Sequence, residues 1–69
     1  MARDICKTFG VNLFYKRTDL GWTQEDVAEA VGLSASTISS YENGKVCPDL
    51  KTAEEIAIAL GFHLKDLLE

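Results

Sequence analysis

Histidine, proline, tryptophan and methionine each occur once in this 69-residue chain, and what is scarce excludes much. Two cysteines without CxxC spacing and the single His63 are too few ligands for a structural zinc site. There is no Ser-His-Asp set, no metal-ligating cluster and no glycine-rich phosphate loop carrying a lysine, so an enzymatic reading has no residues to stand on and no cofactor or metal is expected. His63 is expected at the cap of the last helix in a structural role. No apolar run approaches the roughly 20 residues of a membrane span, and MARDICK has no apolar segment of the kind a secretory signal requires. A cytoplasmic protein without membrane contact is the expectation. In a reducing compartment Cys6 and Cys47 are read as free thiols, Cys6 packed on the first helix and Cys47 in a connection, with a disulfide between them as the alternative. A basic surplus is also missing: seven Lys and Arg stand against eleven Asp and Glu, a net charge of −4.

What is present is a series of short amphipathic segments with 46% hydrophobic residues, no repeat, no low-complexity tract and no linker. At this length there is room for one domain, residues 1–69, with a small core. The first segment, about Asp4 to Asp19, places Ile5, Phe9 and Leu13 four apart. Gly10 within it costs helix stability and offers a neighbouring helix a close approach. Trp22 precedes Thr23, whose hydroxyl is suited to cap the next helix with Asp26 answering three positions on. Val27, Ala28 and Val31 form that helix's inner stripe. Gly32 ends it in a left-handed conformation, Leu33 turns inward, and Ser34 caps a third helix whose buried side carries Ile38 and Tyr41. Pro48 and Asp49 announce a fourth, with Leu50, Ala53, Ile56, Ala57 and Leu60 on one face and Gly61 at its end. A last turn bears Leu64, Leu67 and Leu68. Ile58 points away from the fourth helix's inner face, which suits either contact with another subunit or an isolated surface apolar residue.

The stretch TQEDVAEAVGLSASTISSYENGK is therefore a helix-turn-helix pattern. Outward on its second helix stand Ala35, Ser36, Thr37, Ser39 and Ser40, small groups that let a helix come close to a groove while offering donors and acceptors. Ser and Thr are mediocre helix formers, and an ordinary solvated helix would carry Lys, Glu or Gln there. Charge is unevenly placed. Arg3, Lys7, Lys16 and Arg17 face only Asp4 in residues 1–17, and the outward helix has no acid before Glu42. The acids gather elsewhere: Asp19, Glu25, Asp26 and Glu29, then Asp49, Glu54, Glu55, Asp66 and Glu69. A DNA-facing surface would be near neutral, with few phosphate contacts and a shallow salt dependence.

Arg17 ahead of LGWTQEDVAEAVGLS, then TISSYENGK, then TAEEIAIALGFHLKDLL, resembles in order and spacing the lambda repressor and Cro type of helix-turn-helix domain, the XRE family, over nearly the whole chain. The resemblance implies an all-α, five-helix lambda-repressor-like bundle with the helix-turn-helix in helices 2 and 3. It implies that Gln24 sits over the DNA backbone and braces the third helix, that Ala35, Ser36 and Ser40 meet bases, and that Ser34, Thr37, Asn43 and Lys45 hold phosphates. Arg17 and Glu42 are implied to form a partly buried bridge, the alternative being an Arg17 contact to DNA.

Departures are visible too. Lys16 occupies a position that is usually apolar, so its stem is expected to pack while its amine reaches solvent. Phe14 stands where a base is frequent, and the third helix lacks the Gln, Arg and Asn that form bidentate bonds to purines. Specificity would lean on water, DNA shape and half-site spacing. The function implied is a sequence-specific transcriptional regulator, a repressor acting on double-stranded DNA as a homodimer through Ile58 and Leu64. The chain could equally be a Cro-sized or controller-type protein or the N-terminal piece of a longer repressor. A second reading is an antitoxin or adaptor of the same fold that binds a basic protein partner through its acidic surface.

Overall fold

The computed structural model describes residues 4–69; Arg3, counted above in the basic N-terminal group, lies outside them. The order is α1 (Ile5–Asp19), α2 (Gln24–Val31), α3 (Ala35–Glu42), α4 (Leu50–Leu60) and α5 (Leu64–Leu68), with no strand among the described residues. Helix starts follow local chemistry. Asp4, Thr23, Ser34 and Asp49 each accept the backbone N–H three residues on, satisfying a donor that has no partner within the helix. Thr23 and Asp26 complete the reciprocal box: Asp26 N–H donates to Thr23 Oγ1 at 3.0 Å, and Thr23 N–H to Asp26 Oδ2 at 2.8 Å. At the hinge Gly32 has φ 74°, and the Leu33 N–H reaches back to the Ala28 carbonyl at 2.8 Å, closing α2. At α5, His63 is the N-cap residue, and its N–H donates to Asp66 Oδ2 at 3.2 Å.

α1 packs on α3 and α5, α2 on α3 and α4, and α4 on α5, so each helix, α3 included, packs mainly on two others. The radius of gyration, 10.7 Å, matches the roughly 11 Å expected for one packed unit of this length. Leu13, Val27, Ile38, Ile56 and Leu67 are fully buried at its centre, with Phe9, Ala28, Tyr41, Ala57 and Leu60 around them. Each large side chain of this set contributes about 1.5–3 kcal/mol of apolar burial. Gly10 permits the tightest crossing, since a Cβ there would collide with the Tyr41 carbonyl oxygen and lie 2.9 Å from that of Glu42.

Several expectations are corrected. Cys6 and Cys47 are not free thiols; they form a disulfide. Leu50 does not join the inner face of α4. It stands 70% exposed, because the first residue of α4 projects past the end of the core that Ala53 and Ile56 reach. Leu33 and Ile5 are likewise exposed rather than inward. Lys16 is half-buried as a packed stem requires, and its ammonium sits 4.3 Å from the centre of the Phe62 ring, a cation–π contact that the sequence reading did not include.

Candidate nucleic-acid interface

The face of α3 is held by its own hydroxyls. Ser34 Oγ accepts the Thr37 N–H at 3.1 Å and lies 2.9 Å from Thr37 Oγ1, so these two groups are already paired with one another at the start of the helix. Ser36 is exposed; Ala35, Thr37, Ser39 and Ser40 are half-buried, and none of the five is covered by another segment to the point of burial. The buried side carries Ile38 and Tyr41. Helix periodicity thus puts apolar groups against α1 and α2 and leaves the small hydroxyls outside.

Glu42 ends α3 at the junction of three helices. Its Oε2 accepts Arg17 Nε at 2.6 Å, and its Oε1 accepts Arg17 Nη2 at 3.1 Å and Gln24 Nε2 at 3.0 Å. Arg17 Nη1 donates to the Trp22 carbonyl at 2.8 Å. The Arg17 and Glu42 side chains are 10% and 5% exposed, so this is the bridge expected between them, and Arg17 is not offered to a ligand. Two consequences follow. The pair is bidentate and fully bonded, which is the condition under which a buried ion pair is tolerated. The one carboxylate of α3 is also neutralised at source, so the outward face presents no net negative charge to a phosphate. Gln24 braces α3 as expected through its amide nitrogen. Beside it Glu25 and Asp26 crowd the first turn of α2, which opposes anion binding at that helix start.

After α3 the chain folds back on itself. The N–H groups of Lys45 and Val46 both reach the Ser40 carbonyl, at 3.0 and 3.4 Å, and Asn43 Nδ2 lies 3.4 Å from Ser39 Oγ. This places Asn43 and Lys45 exposed at the end of the hydroxyl face, and the Lys45 ammonium has no ion-pair partner among the described residues. Ser36, Ser40, Asn43 and Lys45 therefore belong to one continuous surface.

Sequence reasoning missed part of its border. Val11, Phe14 and Tyr15 are 50%, 44% and 59% exposed and, with Gln24, Ser39 and Asn43, line a depression beside the second half of α3. Phe14 and Tyr15 meet edge to face at 5.5 Å, and the Arg17 guanidinium lies 5.4 Å from the Phe14 ring centre. The available signal was the aromatic Phe14 where a basic residue is frequent. Ile58 is 68% exposed, but it does not share a depression with Leu64, which is half-buried against the core. Leu50, assigned from the sequence to the interior, lines both the groove with Leu64 and the surface with Ile58.

A helix-turn-helix family model, that of Cro/C1-type XRE regulators, matches residues 13–67, and the chain belongs to this family. It is 46% identical over 52 residues to an uncharacterized HTH-type transcriptional regulator of Methanothermobacter thermautotrophicus, covering 74% of this chain and 75% of that protein. The restriction-modification controller protein C.AhdI from Aeromonas hydrophila superposes with a TM-score of 0.85 at 31% identity, over 90% of this chain and 94% of that one. The enzyme HppE contains a similar unit, with a TM-score of 0.88, but at 23% identity and over only 35% of its own length, a likeness of fold alone. The family and the relatives are those of DNA-binding transcription regulators and not of enzymes.

Proposed function

We propose that the chain is a sequence-specific repressor that works in the cytoplasm as a homodimer, placing α3 of each copy in successive major grooves about 34–36 Å apart. The observation that carries this reading is the hydroxyl face of α3, where Ser36 is exposed and none of its neighbours on that face is buried, while its one acid, Glu42, is neutralised by Arg17. Ala35, Ser36 and Ser40 would meet base edges. Ser34, Thr37, Gln24, Asn43 and Lys45 would meet the backbone, with Ser34 and Thr37 acting as a hydroxyl pair and Gln24 through the part of its amide not given to Glu42. Small side chains at the base-facing positions bring the backbone near the groove floor and give each base little direct discrimination, so water and DNA deformability would carry much of the selectivity. No catalytic step is required, since occupancy of an operator excludes polymerase sterically. The exposed apolar residues Leu50 and Ile58 of α4, with Leu64 at the groove beside them, would supply the contact between copies.

Selection from a random duplex pool at fixed ionic strength yields an operator, and Ser36→Glu tests the face. Ser36 is exposed, so the variant keeps the melting temperature, and it is expected to lose operator binding by at least about a hundredfold, the effect of an unpaired charge against phosphate. Undiminished binding by a folded Ser36→Glu protein would remove α3 from the interface. If the wild type ignores duplexes of every sequence at low salt and instead retains a basic protein, the adaptor reading replaces this one, and the net charge of −4 is what favours it.

A further inference from the structure

The Cys6–Cys47 bond joins the first turn of α1 to the connection between α3 and α4, with Cα atoms 5.1 Å apart, inside the ordinary range for bridged cysteines. It closes a loop of 41 residues' separation that contains the whole helix-turn-helix. Little else fastens the connection. Its last backbone tie to α3 is the Val46 N–H to Ser40, Pro48 has no N–H to give, and those of Cys47 and Asp49 have no backbone partner among the described residues. The stem of Lys7 passes under Gly44, with its Cγ 2.9 Å from where a Cβ would stand, so α1 and this connection touch directly where the bond is made. Just upstream lie Asn43 and Lys45, the part of the surface assigned to phosphate. Cys47 is exposed and Cys6 half-buried.

We propose that Cys6–Cys47 is a thiol–disulfide exchange site that couples the affinity of this surface for DNA to the redox poise of its surroundings; the inference rests on the DNA-binding reading above. The thiolate of a small thiol attacks the exposed Cys47 sulfur, the S–S bond breaks, and its electron pair leaves on Cys6, which takes a proton from solvent. A second thiolate attacks the mixed disulfide, expelling the Cys47 thiolate, which is protonated in turn. The small molecule departs as its own disulfide, two electrons having passed to the protein, and a low-molecular-weight disulfide reverses both steps. Cys6 suits the leaving role. It is the half-buried partner on the first turn of α1, so the incoming thiol reaches the exposed Cys47 first and Cys6 departs. In a reducing cytoplasm the dithiol is the resting form, and intracellular disulfides of this kind are characteristically transient and redox-sensing. Opening the bond removes the covalent tie to α1 and leaves the connection held by the Lys45 and Val46 N–H groups on Ser40 and by the Lys7 stem under Gly44, contacts weak enough to fray. Lys45 then samples positions off the phosphate track, and affinity falls.

The test titrates wild type with mixtures of reduced and oxidised dithiothreitol, counts free thiols by alkylation, and measures anisotropy of a labelled mixed-sequence duplex at low salt, well below both melting temperatures. Oxidised protein is expected to bind at least about tenfold more tightly, a difference of about 1.4 kcal/mol. Trypsin is expected to cut after Lys45 faster in the reduced form. The double variant Cys6→Ser, Cys47→Ser should hold the reduced affinity at every poise and keep the helical circular dichroism. Equal affinity of the two wild-type states overturns the coupling alone. Failure of both states to bind any duplex overturns the DNA-binding reading and the coupling with it. Loss of the helical signal on reduction also overturns the proposal, because the bond would then be a global staple and not a local tie.

Discussion

Gly10 stands where α1 crosses the end of α3, and the atoms a methyl group would meet are the carbonyl oxygens of Tyr41 and Glu42, backbone that cannot swing aside. In an isolated helix, Gly→Ala stabilises by about 1 kcal/mol. Here the helices would have to separate, and overpacking of this kind costs about 1–3 kcal/mol. The cost outweighs the gain by up to about 2 kcal/mol, so Gly10→Ala is expected to lower the melting temperature, by about 4–8 °C for each net kcal/mol, and a calorimetric rise would show that the crossing is looser than described. The separation would also lengthen the bonds at Glu42, whose donors Arg17 and Gln24 come from α1 and α2. Glycine's presence in the first helix was legible in the sequence as a possible close approach. Its partner was not, because nothing local to residue 10 names Tyr41.

At the scale of the element, the helix starts are the most legible part of the chain, since a cap and the N–H it accepts lie three residues apart. Asp49 shows how such a start responds to pH. The Thr52 hydroxyl, and after it the Thr52 N–H, holds its carboxyl below the ordinary value of 3.8. A carboxylate lowered in the folded state contributes stability that is fully present above its unfolded value and is lost as pH falls through the folded one. Asp49→Asn keeps a capping side chain without the charge. The wild type is expected to exceed this variant in urea midpoint at neutral pH, and the gap should close as pH falls below 3.8. A gap that is constant with pH would mean that the charge adds nothing to the cap. The inner face of α4 was less legible than its start. Periodicity groups Leu50 with Ala53, Ile56, Ala57 and Leu60, but only the depth of the core decides that the first of them lies outside.

At the scale of the molecule, Leu50 and Ile58 leave two large apolar side chains on one helix of a small, net acidic unit. A dimer through this helix would bury them and set the spacing of the two α3 helices. Ile58→Lys removes the contact without touching the core, since the side chain is 68% exposed. Sedimentation equilibrium is expected to show a dimer for wild type and at least a tenfold weaker one for the variant, a loss of about 1.4 kcal/mol or more. Unaltered association would assign the contact to some other face. The near-neutral interface predicts a further property of the assembly, a salt dependence of DNA binding set by few phosphates per subunit.

By itself the sequence determined what depends on neighbours within a turn or two: five helices, their caps, the Gly32 hinge, the inward Ile38 and Tyr41 and the outward hydroxyls, and with them the family. It also named Arg17 and Glu42 as a pair, through the resemblance its motifs carry. Tertiary structure alone decided what depends on residues far apart in the chain: the Cys6–Cys47 bond, the ammonium of Lys16 on Phe62 and the exposure of Leu50. The reason is physical. Caps and periodicity act through a helix's own backbone, whereas the fate of a thiol, an ammonium or an end-of-helix leucine is set by which other segment the closed bundle brings beside it.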